Sequence, residues 1–437
     1  MNNNQNIFLN KKILIYGLGK SGLSAFEFLK NKCDVFLFDD SRLNIHKPNI
    51  KKKLLNLRTV LNLRFDKIII SPGIDIKNCK LSDFLKRNSY KIYSDLDIFY
   101  EFFKNTCITV TGTNGKSTTC KLLYEILLKQ KKNVKLVGNI GFPILSVKNF
   151  NKNTIFVIEA SSYQLENSKI FKSKYALILN ISPDHIERHQ TLNKYIAAKF
   201  KLLQSQKKGD ISFVKKNDLL IKKKIQRDKL FGKIINVDTS QTKKILRHIR
   251  NEYFFSDANI ENLSFVLAVS KILRLKRNIL IKTIQNFKGL KFRQQTIFKN
   301  NRLTIINDSK STSFSSSIGI LKTKSNLFWI LGGIHKKGDK FKLQKKYLKK
   351  IKAFIYGRDK SFFVNELKGK IKFENFKNLN DAFKRVFSQV KKNIGHQTIL
   401  FSPCAASFDN FKNFEDRGHY FDNLVKKYFY GKKNKNI

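Results

Sequence analysis

Acidic residues are scarce in this chain. Its 437 residues hold 32 Asp and Glu against 87 Lys and Arg, a formal net charge of +55 at pH 7. Such a surplus suggests a nucleic acid or an anionic membrane as partner. The basic residues are scattered, however, with short runs only at Lys51–Lys53, Lys222–Lys224 and Lys345–Lys350. No stripe or arm gathers them, and Lys, Asn, Ile and Phe are abundant together, as in a genome-wide compositional bias. The charge therefore reads as a solvated surface whose field gathers anionic small molecules, and no nucleic-acid partner is expected. Cysteines are few and separate: Cys33, Cys79, Cys107, Cys120 and Cys404. Without a C-x-x-C pair, neither a zinc cluster nor a disulfide framework is implied, and a reducing cytoplasmic setting is expected. No apolar run approaches the roughly 18 residues of a membrane span. Residues Met1–Asn6 are polar, so no signal peptide is expected. There is no internal repeat and no low-complexity linker. A hydrophobic fraction of 41% suffices for several cores, and the length suggests two to four domains at roughly 100–200 residues each.

What the chain does have is a repeated order of apolar strand, glycine or polar turn, and helical pattern. The first block opens with a predicted strand at 12–16, the turn Gly17-Leu18-Gly19-Lys20-Ser21-Gly22, and a helix with Leu23, Phe26 and Leu29 on one face. Predicted strands at 35–38 and 67–70 follow, ending at Asp39-Asp40 and at Ser71-Pro72-Gly73. The second block opens with a predicted strand at 108–110 and then Thr111-Gly112-Thr113-Asn114-Gly115-Lys116-Ser117-Thr118. A helix bearing Leu122, Leu123, Ile126 and Leu127 comes next, with later strands predicted at 155–158 and 176–179. The third block has predicted strands at 302–306, 327–331, 353–356 and 398–401. They run into Asn307-Asp308-Ser309-Lys310, Gly332-Gly333, Gly357-Arg358-Asp359 and Ser402-Pro403. This alternation predicts an α/β fold of doubly wound parallel sheets. Ligands of such sheets bind at the carboxyl ends of the strands.

The strongest local signal is Gly112–Thr118. A glycine turn between strand and helix lets backbone N–H groups wrap a phosphate, and the helix N-terminus adds its positive end. Lys116 can reach β- and γ-phosphates, and the Ser117 hydroxyl can ligate Mg²⁺. Only Thr113 and Asn114 separate the two glycines, against four residues in the usual P-loop. Gly17–Gly22 fits G-x-G-x-x-G with an acid about 20 residues on, at Asp39 or Asp40. That pattern alone suits NAD, another nucleotide diphosphate, or tight packing of helix on strand. Glu159 ends a buried-looking strand and can hold Mg²⁺ beside a phosphate, as a Walker-B acid does. Asp184 and His185 follow another strand and suit a second metal site.

With those residues in view, the chain resembles the Mur ligases over essentially its whole length. Thr111–Thr118 looks like their short phosphate loop. Gly138-Asn139-Ile140-Gly141, Glu159–Glu166 and Asn180–His185 look like their central-domain signatures. Asn307–Lys310, Leu331-Gly332-Gly333 and Ser402–Phe414 resemble the branch that adds D-glutamate. The resemblance implies three domains: a Rossmann-like UDP-substrate domain (1–99), a central P-loop-type ATPase domain with a parallel sheet (100–294) and a C-terminal Rossmann-like amino-acid domain (295–437). It implies ATP-dependent joining of D-glutamate to UDP-N-acetylmuramoyl-L-alanine through an acyl phosphate, in peptidoglycan precursor synthesis, by a cytoplasmic monomer with no membrane span.

The resemblance also implies residue roles. Lys20, Ser21, Asp40, Ser41, Arg42, Ser71, Gly73, Asn139, Ser161 and Gln164 would hold the UDP substrate. Gly112, Thr113, Asn114, Gly115, Lys116, Ser117, Thr118, Asn259, Asn262, Arg293 and Asp308 would hold ATP. Two Mg²⁺ ions would use Ser117, Glu159, His185 and a carbamylated Lys199, with Lys116, Glu159, His185 and Lys199 as the catalytic group. Lys310, Thr312, Lys336, Ser407 and Phe414 would form the D-glutamate pocket, where the two lysines match two carboxylates. Three positions depart from the family pattern. Ala258 and Phe292 stand where histidine is common, and Ile334-His335-Lys336-Lys337 lacks the usual acidic spacing. The alternatives are a Mur-type amide ligase for another amino acid and, in a different class, an NAD-dependent oxidoreductase using Gly17–Gly22.

Overall fold

The computed structural model describes residues 6–41, 48–249, 251–392 and 394–430. Arg42 lies outside the described residues. Three sheets carry the fold, and by packing the chain forms two compact units. The first unit comprises Met1–Ile249 and Glu261–Gln285, and the second Arg250–Ile260 and Asn286–Ile437.

The first unit holds two parallel sheets. One has the order β2-β1-β3-β4, built from β1 (Lys12–Tyr16), β2 (Asp34–Phe38), β3 (Lys67–Ile70) and β4 (Ile92–Tyr93). The other has the order β10-β9-β8-β5-β7-β6. Its strands are β5 (Cys107–Thr111), β6 (Val134–Gly138), β7 (Ile155–Glu159), β8 (Tyr175–Ile178), β9 (Ile211–Lys215) and β10 (Lys233–Val237). Central strands such as Lys12–Tyr16 and Cys107–Thr111 are apolar runs because helices cover both faces of a parallel sheet. One apolar cluster joins the two sheets, with Ile13 from the first, Phe26 from the helix that follows β1, Phe156 and Ile178 from the second sheet, and Phe99 between. The Phe99 ring meets Phe156 edge-on at 4.8 Å. A buried aspartate reinforces this seam. Asp97 Oδ1 accepts from the N–H groups of Lys169, Ile170 and Phe171 and from Ser168 Oγ, all at 2.8–3.0 Å.

The second unit holds the order β11-β12-β16-β13-β14-β15. Its strands are β11 (Gln295–Lys299), β12 (Leu303–Asn307), β13 (Leu327–Gly332), β14 (Ile351–Tyr356), β15 (Lys372–Asn375) and β16 (Gln397–Phe401). Only the β11–β12 pair is antiparallel. Apolar clusters lie on both faces, one led by Phe354, Phe383 and Phe421, the other by Phe314, Trp329 and Leu400. The α/β class with parallel sheets expected from the sequence is therefore borne out. In the first two sheets the strand order reverses beside the first strand, β1 and β5, and in the third the last strand, β16, returns to lie between β12 and β13. Crevices at such reversals are where this architecture takes ligands.

Candidate active site

β5 delivers the chain into Gly112–Thr118 at one of these reversals. Gly115 has φ +85°, and a Cβ there would stand 1.9 Å from Asn262 Oδ1. Both the turn and its neighbour thus require glycine. The helix Lys116–Lys129 starts at the next residue, so its free N–H groups and dipole serve the crevice. Lys116 Nζ donates to the carbonyls of Gly112 (2.9 Å) and Thr113 (2.8 Å). Asn114 N–H donates to Asn180 Oδ1 at 2.9 Å, and the Thr113 hydroxyl lies 3.0 Å from Tyr195 Oη. The loop is thereby shaped by the ends of β8 and by the helix Leu192–Gln204. Ser117 and Thr118 are buried in the first turn.

Lys199 lies on that same helix and is 1% exposed. Its Nζ donates to Gly112 O at 2.8 Å and stands 4.5 Å from the centroid of the Tyr195 ring. Burial first, and then the charge of Lys116, holds its ammonium well below the usual lysine range, with Glu159 opposing. Glu159 closes β7 and is also 1% exposed. Its Oε1 accepts from Asn139 Nδ2 at 2.9 Å, while Oε2 is buried with no hydrogen-bond partner. An unsatisfied buried carboxylate oxygen is costly and asks for a cation or donor. His185 belongs to the same electrostatic group. Burial lowers its imidazole below the ordinary value; Glu187 opposes this, and Lys116 and Lys199 reinforce it. Its backbone is left-handed at φ +53°, a conformation that costs energy for a residue with a side chain. Among the described residues no group of three His, Cys, Asp or Glu side chains could hold a metal ion. A Mg²⁺ site here would rest on one carboxylate, a hydroxyl, the His185 imidazole and oxygens from elsewhere, which suits a cation that binds through few protein ligands.

The Gly17–Gly22 turn leaves β1 at the reversal of the first sheet. Ser71 Oγ donates to Gly17 O at 2.5 Å, and Leu18 N–H donates to Asp39 Oδ2 at 2.7 Å. Asp39 also accepts from the Ser41 N–H and hydroxyl. Burial raises its pKa, but these hydrogen bonds, led by Ser41, bring it below the ordinary value. Asp40 accepts from Tyr16 Oη at 2.6 Å. Lys20, Ser41 and Gly73 are exposed, and Ser21 is half-buried. Arg188 ties this region to the His185 segment. It donates to Ile74 O, and its guanidinium lies 4.5 Å from the Tyr163 ring centroid. Asn139 is exposed and leans on Glu159. Ser161 caps the helix Ser162–Glu166 in a box with Gln164. The Gln164 amide is buried and fully engaged, accepting from Ser161 and donating to both Asp95 oxygens at 3.2 Å.

In the second unit, Asp308 follows β12 and is 5% exposed. It accepts from Ser402 Oγ at 2.7 Å and Gln294 N–H at 3.0 Å. Burial pushes it up to about 7, against Ser402, Gln294, Arg293 and Arg417. Phe292 has φ +60°, accepts at its carbonyl from Lys310 N–H, and meets His419 edge-on. Lys310 Nζ stands 3.9 Å from the Phe414 ring centroid, which unites two residues expected in one pocket. Lys336 is half-buried, and burial lowers its pKa against Asp339. Ser407 is buried and Thr312 exposed. Asn259 Nδ2 donates to Tyr253 O at 2.7 Å.

Known families match this arrangement. Residues 110–279 match the Mur ligase middle domain, and residues 11–92 the Mur ligase MurD-like N-terminal domain. The UDP-N-acetylmuramoylalanine–D-glutamate ligase of Rickettsia prowazekii is 35% identical over 97% of this chain and 100% of the relative. The chain belongs to the Mur ligase family. The ligase of the same name from Buchnera aphidicola is 34% identical over 96% of this Mur ligase and 98% of its own length. Among solved structures, the MurF ligase of Thermotoga maritima in complex with ADP superposes with a TM-score of 0.59 at 14% identity, covering 96% of each chain. The UDP-N-acetylmuramate–alanine ligase from the same organism gives 0.57 at 15% identity, covering 97% of this chain and 100% of the other. These two likenesses concern the fold alone.

Two residues of this Mur ligase escaped the sequence reading, and a third, Asn180, was read only as part of a signature; its hydrogen bond to the phosphate loop from the end of β8 was not foreseen. Arg188 and Arg417 gave no signal, being two among 87 basic residues.

Proposed function

We propose that this Mur ligase joins D-glutamate to UDP-N-acetylmuramoyl-L-alanine at the expense of ATP, giving ADP and phosphate. The reading rests on full-length likeness to ligases of that name. One observation carries its chemistry: the Gly112–Thr118 turn, gripped by Lys116 and Lys199, beside a carboxylate with an unpartnered oxygen. The substrate carboxylate takes the γ-phosphoryl group, becoming an acyl phosphate, and the D-glutamate amine displaces phosphate. Lys116 and the helix N-terminus neutralise the transferring group. The Glu159 oxygen, the Ser117 hydroxyl and His185 are the groups that would hold Mg²⁺. Bound there, Mg²⁺ would offset charge on the phosphate oxygens.

Lys199 fits carbamylation. The reaction needs a neutral amine, and burial lowers this one's pKa well below the ordinary lysine value. The resulting carbamate would turn a cation into an anionic ligand beside Glu159. Lys20 and Ser21, at the start of the helix Lys20–Leu29, suit the UDP diphosphate. Lys310 and Lys336 suit the two carboxylates of D-glutamate. No described helix is long and apolar enough to cross a membrane. The mutual repulsion of a +55 chain favours a monomer, and its nucleotide substrates suit the cytoplasm.

The test is phosphate release by the purified protein with ATP, the UDP-sugar and a panel of amino acids. D-Glutamate alone should support turnover. Turnover with another amino acid instead would make it a different Mur-type ligase, and no turnover with any would defeat the reading.

A further inference from the structure

We infer that Arg417 is the positioning residue of the amino-acid pocket in the second unit. The inference rests on the D-glutamate reading above for its ligand, but its geometry stands apart from it. Arg417 is 0% exposed, the second largest of the fully buried side chains. Burying a guanidinium is costly unless hydrogen bonds compensate. Here the compensation comes from two loops. Nε donates to Ser309 Oγ at 3.1 Å, and Nη2 donates to Ser309 O at 2.7 Å and Ala405 O at 3.0 Å. Nη1 is buried without a partner at ordinary hydrogen-bond distance, and the buried Tyr356 hydroxyl is the polar group that interacts with the guanidinium beyond the two loops.

The two loops are those that bear the expected pocket residues. Ser309 precedes Lys310, and its hydroxyl also donates to Phe414 O at 2.8 Å. Ala405 lies two residues before Ser407. Its neighbour Ala406 exchanges backbone hydrogen bonds with Ile334 at 2.8 and 3.1 Å, and Ile334 lies two residues before Lys336. One planar fork therefore fixes the spacing of the Lys310 loop from the loop that carries Ser407 and, through Ile334, Lys336. Arg417 itself lies on the helix Phe414–Tyr430 that begins with Phe414. A lysine could not replace it, because a single ammonium lacks the fork that meets both loops at once. Arg417 touches no substrate in this scheme. It presets the distance between the groups that do.

The experiment compares wild type, Arg417→Met and Arg417→Lys by steady-state phosphate release and by amide hydrogen exchange. In Arg417→Met the KM for D-glutamate should rise by about tenfold or more, while the KM for ATP and for the UDP-sugar stays within about twofold. Arg417→Lys should recover only part of this. Exchange should quicken at both Ser309–Lys310 and Ala405–Phe414 in either variant, with the core of the first unit unchanged. The exchange arm needs no substrate, so it judges the positioning role even if wild type proves to use another amino acid, which would defeat only the ligand reading. Unchanged exchange in both loops would overturn the inference. So would a uniform fall in kcat with every KM intact.

Discussion

Two glycine turns in the first unit invite comparison, for each leaves the first strand of a parallel sheet and each starts a helix. After β1, the turn is satisfied from within: Asp39 takes the Leu18 N–H, and Ser71 takes the Gly17 carbonyl. After β5, it is gripped by two lysines. Lys116 and Lys199 both donate to Gly112 O, and the nearby Glu159 oxygen has no partner. The same backbone device thus carries opposite electrostatics. The first turn closes its hydrogen bonds on an acid and a serine of neighbouring strand ends, whereas the second has two lysines and an unpartnered carboxylate oxygen beside it. The difference comes from side chains on other strands and helices, not from the glycines.

Breaking the second turn should cost most. Lys116→Ala should lower phosphate release on the order of 10³-fold, with circular dichroism unchanged. Glu159→Gln should cost about 10²-fold and raise the Mg²⁺ concentration needed for half-maximal rate. Lys199→Ala should be inactive yet respond to added short carboxylic acids, which supply the missing anion; a folded variant with no response at any concentration would count against carbamylation. Gly115→Ala should destabilise by about 1–3 kcal/mol, since its Cβ meets Asn262 in a left-handed turn.

The smallest effects distinguish the turns by pH. Asp39 is held below its ordinary 3.8, so it contributes stability above that value that is lost as pH falls through its folded value. Asp39→Asn should weaken the fall in melting temperature on acidification. Lys199 is held well below its ordinary 10.5, so the unfolded chain binds the extra proton. Unliganded protein in CO₂-free buffer should therefore gain stability as pH rises toward 10.5, and Lys199→Met should flatten that slope.

The sequence made the central strands legible because they are buried apolar runs, as at β1, β3, β5 and β7. It did not reveal β4, β6, β10, β11 or β15, which are edge strands. Several of these carry residues such as Lys135, Lys233 and Lys372, and β4 is only two residues long, so no apolar run marks them; the edge strand β2, with Val35–Phe38, was legible. β9 escaped as well, although it is flanked on both sides. At the site, Glu159 was visible because the carboxyl end of a buried strand is a special position. The partners of Gln164 and the fork of Arg417 were not visible, since both depend on contacts between segments far apart in the chain.

Calorimetric titration of ATP into wild type and Glu159→Gln, with and without Mg²⁺, tests the comparison most directly. Wild type should bind ATP tightly only with Mg²⁺, and Glu159→Gln should lose most of that Mg²⁺ dependence. ATP bound equally well by both proteins whether or not Mg²⁺ is present, or not bound by wild type at all, would contradict the account.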